Sequence, residues 1–179
     1  MKRWMVVVLL LAGCSAPATQ QGKIQVGSGS NDTLPLYSSS KCHAVEDLPD
    51  PLCTPGAVDP AVTQSNIAST ICKPGYTDSV RPSPDFTRPL KLISMKDYGF
   101  TGDPGDYEYD HLISLELGGA PRDTRNLWPE YPKSPNRKDA VENAAKREVC
   151  ALRLRLADAQ TGIATNWKIL GRRLGVPGV

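Results

Sequence analysis

The stretch Tyr107-Glu-Tyr-Asp-His-Leu-Ile-Ser-Leu-Glu-Leu-Gly-Gly119 holds one of only two histidines in a chain of 179 residues. His111 directly follows Asp110, a double glycine closes the segment, and Asn126-Leu-Trp128 comes seven residues later. Residues Tyr107 to Leu117 read as a strand, or as a strand running into a loop. Gly118 to Arg125 then reads as a loop with two glycines and a proline. Asn126-Leu-Trp128 is a short second strand, which Pro129 should break.

Moving outward, Ser134-Pro135 reads as a helix start, with serine capping and proline in the first helical position. Val141, Ala145, Val149, Leu152, Leu156 and Ala159 follow at spacings of three or four, the stripe of a helix that bends near Cys150. A last helix covers Ile163 to Leu170, with Trp167 on its buried side. Upstream, Asp59 caps a short helix whose Ile67 and Ile71 face the core. Leu90 to Tyr98 form another helix, with Leu92, Ile93 and Met95 partly buried and Gly99 past its end. Tyr107, Tyr109 and Trp128 read as core, and Glu116 and His43 as structural. The predicted fold is α+β: a small, mainly helical domain containing a β-β-α unit.

The chain begins MKRWMVVVLLLAGCSAP. Two basic residues precede an apolar run from Trp4 to Ala12, too short for the roughly 20 apolar residues of a membrane span but laid out like a secretory signal. Leu11-Ala12-Gly13-Cys14 resembles the lipobox of bacterial lipoproteins. That resemblance implies a signal peptide over residues 1–13 and lipidation of Cys14. With Ser15 next, it also implies an outer-membrane location facing the periplasm. Residues 14–40 are rich in Ser, Gln, Gly, Thr and Asn and read as a flexible tether. Residues 41–179 remain as a single domain.

Export changes how the other cysteines read. Cys42, Cys53, Cys72 and Cys150 make an even set in an oxidising compartment and imply two disulfides, with three pairings open. No C-x-x-C spacing suggests zinc. The 21 basic and 19 acidic residues nearly cancel, which excludes broad charge-driven nucleic-acid binding. Between Lys133 and Arg173, however, ten basic residues stand against four acidic ones. That segment could present a basic face to phosphates or simply be solvated.

Phosphodiester hydrolysis near neutral pH needs a base for water, a cation for developing charge, and groups that hold both. Imidazole is a natural base and carboxylate a natural ligand for a hard cation. His111 and Asp110 supply one of each. Asn126 can orient the imidazole or bond the backbone across the loop. Neighbouring strand residues point to opposite faces, so the pair can share a substrate only at a strand end or bend, or with the phosphate between them.

Asp-His, then Leu-Ile-x-Leu-x-x-Gly-Gly, then Asn-Leu about fifteen residues after the histidine, resembles the HNH nucleases over residues 107–143. A wider resemblance, from Cys53 to Trp167, is to exported bacterial proteins with similar blocks. The nuclease resemblance implies a ββα-metal finger that cleaves DNA or RNA with one divalent ion, Mg, Mn or Zn. In it Asp110 is a metal ligand, His111 the general base and Asn126 the residue positioning base and loop. The helix ligand is expected among Asn136, Asp139, Glu142 and Asn143, with Asp139 or Asn143 preferred. Ser114 stands where the family has proline, and the family's C-x-x-C knuckles are absent. Arg137 and Lys138 read as solvated charges or phosphate contacts. A different class remains open: a non-catalytic surface lipoprotein, a binding or exclusion factor that keeps the finger as a scaffold.

Overall fold

A two-stranded antiparallel sheet is the only sheet among the described residues, which in this computed structural model are 42–179. The expected signal peptide, lipidated Cys14 and tether lie outside them. Strand β1 (Glu108–His111) pairs with β2 (Leu127–Glu130) in the register Glu108↔Glu130, Tyr109↔Pro129, Asp110↔Trp128 and His111↔Leu127. Helices α1 (Tyr76–Val80) and α2 (Pro84–Asp97) precede the sheet, and α3 (Arg137–Cys150) and α4 (Leu156–Arg173) follow it. Mixed helix around a small sheet makes the domain α+β.

Several boundaries differ from expectation, each for a local reason. Of the two readings of Tyr107 to Leu117, the strand running into a loop holds: β1 ends at His111 because the Asn126 side chain takes both backbone groups of Ile113. Leu115–Leu117 coil into one turn of 3-10 helix instead. Strand β2 runs through Pro129 to Glu130; in a two-stranded sheet each strand is an edge, where a missing N–H donor is tolerated. Helix α3 starts after Asn136, not Ser134. Asn136 Oδ1 accepts from the amides of Lys138 and Asp139 at 2.8 and 3.3 Å, and Asp139 Oδ2 accepts from the Asn136 amide at 2.7 Å. This reciprocal capping box outcompetes a serine cap. The helix expected to bend near Cys150 stops there, with Leu152 at φ 59°, and α4 begins afresh at Leu156.

Helix α2 is longer than predicted, since Pro84 sits at its first turn where no amide donor is needed. Its inward stripe is Lys91, Ser94, Met95 and Tyr98, at helical spacing. Leu92 and Ile93 fall off that stripe and are 51% and 58% exposed, contrary to expectation, whereas Met95 is buried. The main core joins Ile67, Ile71, Ile113 and Leu117 to the inner faces of α3 and α4, including Val141, Val149, Ile163 and Trp167. Trp167 also donates its indole N–H to the Asp47 carbonyl at 3.0 Å.

Two disulfides staple the fold, as the even cysteine set implied. Cys42 bonds Cys53, and Cys72 bonds Cys150 across a sequence separation of 78. They indicate a non-reducing compartment. Among the described residues no helix is long and apolar enough to cross a membrane.

Candidate functional site

Asn126 is fully buried and every polar atom of its amide is used. Oδ1 accepts from the amides of Ile113 at 2.9 Å and Ala57 at 3.4 Å, while Nδ2 donates to the carbonyls of Ile113 at 2.9 Å and Ala120 at 3.2 Å. The side chain thus stands in for a missing strand and clamps the loop leaving β1 against the segment entering β2. Gly119 completes the clamp: a Cβ there would lie 1.7 Å from the Ile113 carbonyl oxygen and 2.8 Å from Asn126 Nδ2. Only glycine lets the two backbones approach so closely. Gly118, at φ 74°, makes the turn before it.

The clamped loop delivers the Pro121 carbonyl to His111, whose Nε2 lies 3.0 Å from that oxygen. A carbonyl only accepts, so Nε2 carries the hydrogen, and Nδ1 holds the free lone pair of the neutral ring. The ring is 5% exposed. Burial lowers its pKa, and the nearby charges of Arg81 and Lys138 act the same way. The Pro121 carbonyl and Asp110 oppose them without prevailing. The imidazole is therefore neutral at pH 7.

Across the strand stands a second cluster, centred on an ammonium that is 1% exposed. Lys138, in the first turn of α3, donates to Asp110 Oδ2 at 2.5 Å, to the His111 carbonyl at 3.0 Å, and to Glu142 one turn along the helix. Glu130 Oε2 lies 3.9 Å from the same nitrogen. Burial disfavours the Asp110 carboxylate, but Lys138 more than offsets it, and the Asp110 pKa falls. The lysine pKa is penalised by burial yet rises well above its usual value in the field of Asp110, Glu142 and Glu130. Burial pushes Glu130 up to about 9 and Glu142 up to about 8, with the negative charge of Asp110 adding to both. One lysine cannot balance three carboxylates, so the excess is carried as bound protons.

Glu108, Asp110 and Glu130 each offer one oxygen, and these lie within 4.8 Å of one another. Glu108 and Asp110 are two apart in β1 and so share a side of it, and Glu130 is the cross-strand partner of Glu108. Three converging carboxylate oxygens fit a hard divalent ion, whose oxygen ligands sit about 2.0 to 2.6 Å from it. Burial raises the Glu108 pKa. Glu108 Oε1 accepts from the Ser134 amide and hydroxyl at 2.9 and 3.0 Å, which ties this corner to the start of α3.

The structure brings Asp110, His111 and Asn126 to the same end of the two-stranded sheet. Asp139 and Asn143 are employed differently. Asp139 closes the helix cap and accepts the Ser134 hydroxyl, and Asn143 is exposed and donates to the Asp139 carbonyl at 2.8 Å. Neither belongs to the three-oxygen group. Glu108, Glu130 and the central role of Lys138 escaped the sequence reading. Glu108 could have been found by its two-residue offset from Asp110, but Glu130 needed the strand register. No protein-family model, curated protein or solved structure matches the chain.

Proposed function

We propose that the protein is an exported, metal-dependent endonuclease that hydrolyses phosphodiester bonds in DNA or RNA. In this reading β1, β2 and α3 form an HNH-like ββα unit, and the chain is lipid-anchored through Cys14 to the outer membrane, facing the periplasm. One observation carries the proposal: an imidazole kept neutral, with Nε2 fixed on the Pro121 carbonyl, directly follows in the chain one of three residues whose carboxylate oxygens are spaced for one cation.

Asp110, Glu108 and Glu130 would hold the ion; when bound, it supplies positive charge to the phosphate and the leaving oxygen. His111 Nδ1 takes the proton of the attacking water while Nε2–H stays on the carbonyl, as a general base requires. Asn126 acts through the loop: by fixing Pro121 it fixes the ring. His111 is the last residue of β1, where the strand turns away. A phosphate seated over that end can meet the base on one flank and the carboxylates on the other.

The test is cleavage of plasmid and of RNA by the purified protein with Mg²⁺, Mn²⁺ or Zn²⁺ and with chelator. Metal-dependent cutting that falls at least ~100-fold in His111→Ala supports the proposal. Cutting that is absent, or equal in the variant, ends it.

A second reading has its own support. The Lys138 ammonium already sits against Asp110, and His111 is almost wholly covered. A scaffold in which lysine permanently replaces the cation would be a non-catalytic surface lipoprotein. It predicts no cutting with any metal, and no change in stability when divalent ions are added.

A further inference from the structure

Two arginines approach the His111 side of the site and neither is paired with a carboxylate among the described residues. Arg122 directly follows Pro121, the residue whose carbonyl meets the imidazole. Its guanidinium carbon lies 5.2 Å from the centre of the Phe86 ring, at the start of α2. Arg81 caps the end of α1, two residues before the Ser83 cap of α2, and α1 packs against the Leu115–Leu117 turn that follows β1. The contrast is with the arginines that carboxylates already hold. Arg125, Arg153 and Arg155 are bonded to Asp123, Glu148 and Asp158, so their forks are spent.

A guanidinium resting on an aromatic face keeps its N–H donors free around the edge while losing much of its rotamer freedom. That is the state in which arginine binds a phosphate bidentately at low entropic cost. The carboxylate side carries the proposed cation; on the imidazole side stand Arg122 and Arg81, with the nearby Asp123 taken up by Arg125. Nucleic acid crossing the end of β1 would place one phosphate at the cation and the next within reach of the arginines.

We propose that Arg122, braced on Phe86, and Arg81 form a phosphate clamp that binds the nucleic-acid backbone beside His111. The proposal depends on the nuclease reading for the nature of the ligand, not for its catalysis. The clamp positions the strand and does not touch the reacting bond. It also explains how a chain of near-neutral charge engages a polyanion: through two placed arginines rather than a diffuse basic field.

The test is fluorescence anisotropy of a labelled single-stranded oligonucleotide and its duplex with the full-length protein. It is run in chelator, between roughly 50 and 200 mM salt. Wild type is compared with Arg122→Gln, Arg122→Lys, Arg81→Gln and Arg172→Gln, the last an exposed arginine at the far end of α4. All variants are first checked for an unchanged melting temperature. The clamp predicts that Arg122→Gln and Arg81→Gln each bind about 5- to 20-fold more weakly and lower the log–log salt slope by about 1. Arg122→Lys restores the slope but not the full affinity, and Arg172→Gln stays within about twofold. Equal binding by Arg122→Gln and wild type overturns the clamp, as does a wild type that binds neither probe. The cleavage assay separates the two proposals. Arg122-dependent binding without metal-dependent cutting leaves the clamp and removes the nuclease; cutting indifferent to Arg122 does the reverse.

Discussion

His111 and Asp110 are neighbours in sequence yet are held by different forces. The histidine is fixed by neutral hydrogen bonding: Asn126 clamps Ile113, Ala57 and Ala120, and the clamped loop presents Pro121 to the ring. The aspartate is fixed by charge, through a buried ammonium shared with Glu142 and Glu130. The amide contacts of Asn126 depend little on pH or salt, although acid that protonates the buried His111 works against the fold. A charge cluster that holds surplus protons responds to both, and to any added cation. The Asn126 clamp is thus the least responsive part, and the carboxylate group to which the proposal gives an ion is the most responsive.

The largest effect should come from the charged side. Lys138→Met leaves Asp110 without its cationic partner and should cost about 4 kcal/mol in urea denaturation at pH 7. Adding Asp110→Asn should recover more than half of that loss. A cost below about 1 kcal/mol would mean that Lys138 does not organise the cluster. Next comes the neutral side. Asn126→Ala strands buried backbone groups of Ile113 and should cost about 3 kcal/mol, with Asn126→Asp intermediate because it keeps an acceptor. Gly119→Ala should follow at about 2 kcal/mol, since its Cβ would overlap the Ile113 carbonyl and force the loop to shift. Two-dimensional NMR of the His111 ring should move in Asn126→Ala and Gly119→Ala, and stay in place in Glu142→Gln.

The smallest expected effect separates the two sides most cleanly. Glu130 and Glu142 have folded-state pKa values raised to about 9 and about 8. The folded state therefore binds more protons than the unfolded one between the ordinary carboxylate range and pH 8 to 9. Stability from these groups is full below that ordinary range and declines as pH rises through the window. Asp110 runs oppositely, with stability present above its ordinary pKa and lost as acid protonates it below that value. His111, with its pKa lowered by burial, adds stability as pH rises through the ordinary imidazole range, so the fall shows above it, between pH 7 and 8; because the carboxylates share their protons it should be shallow, under about 1 kcal/mol per unit. Glu130→Gln should flatten it. Millimolar Mg²⁺ or Mn²⁺ should restore stability at pH 8 if Glu108, Asp110 and Glu130 take an ion, and should do nothing to Glu130→Gln. A rise in stability with pH above pH 7, where His111 no longer titrates, would contradict the charge assignment.

Much of the fold was legible because local backbone physics writes it. Turn residues at 118–119, the stripe from Val141 to Val149 and the even cysteine set announced a loop, a helix and two disulfides. Boundaries were left open or misplaced where side chains competed with the backbone. Asn126 drew Ile113 out of the strand, and Asp139 moved the helix start to Asn136. Leu92 and Ile93 misled because hydrophobicity alone does not reveal which helical stripe the sheet will cover.

By itself the sequence determined that Asp110, His111, the glycine pair and Asn126 stand at short fixed separations, and that the even cysteine set would bridge. A turn, a cap or an i, i+2 offset is fixed by a few bonds and can be read from residue order. Only the tertiary structure decided that Glu130 faces Glu108, that Lys138 inserts its ammonium beside Asp110, and that Cys72 joins Cys150. Those pairings join segments separated by many residues. They depend on strand register and on how α3 lies over the sheet, which burial of the whole core fixes rather than any local pattern.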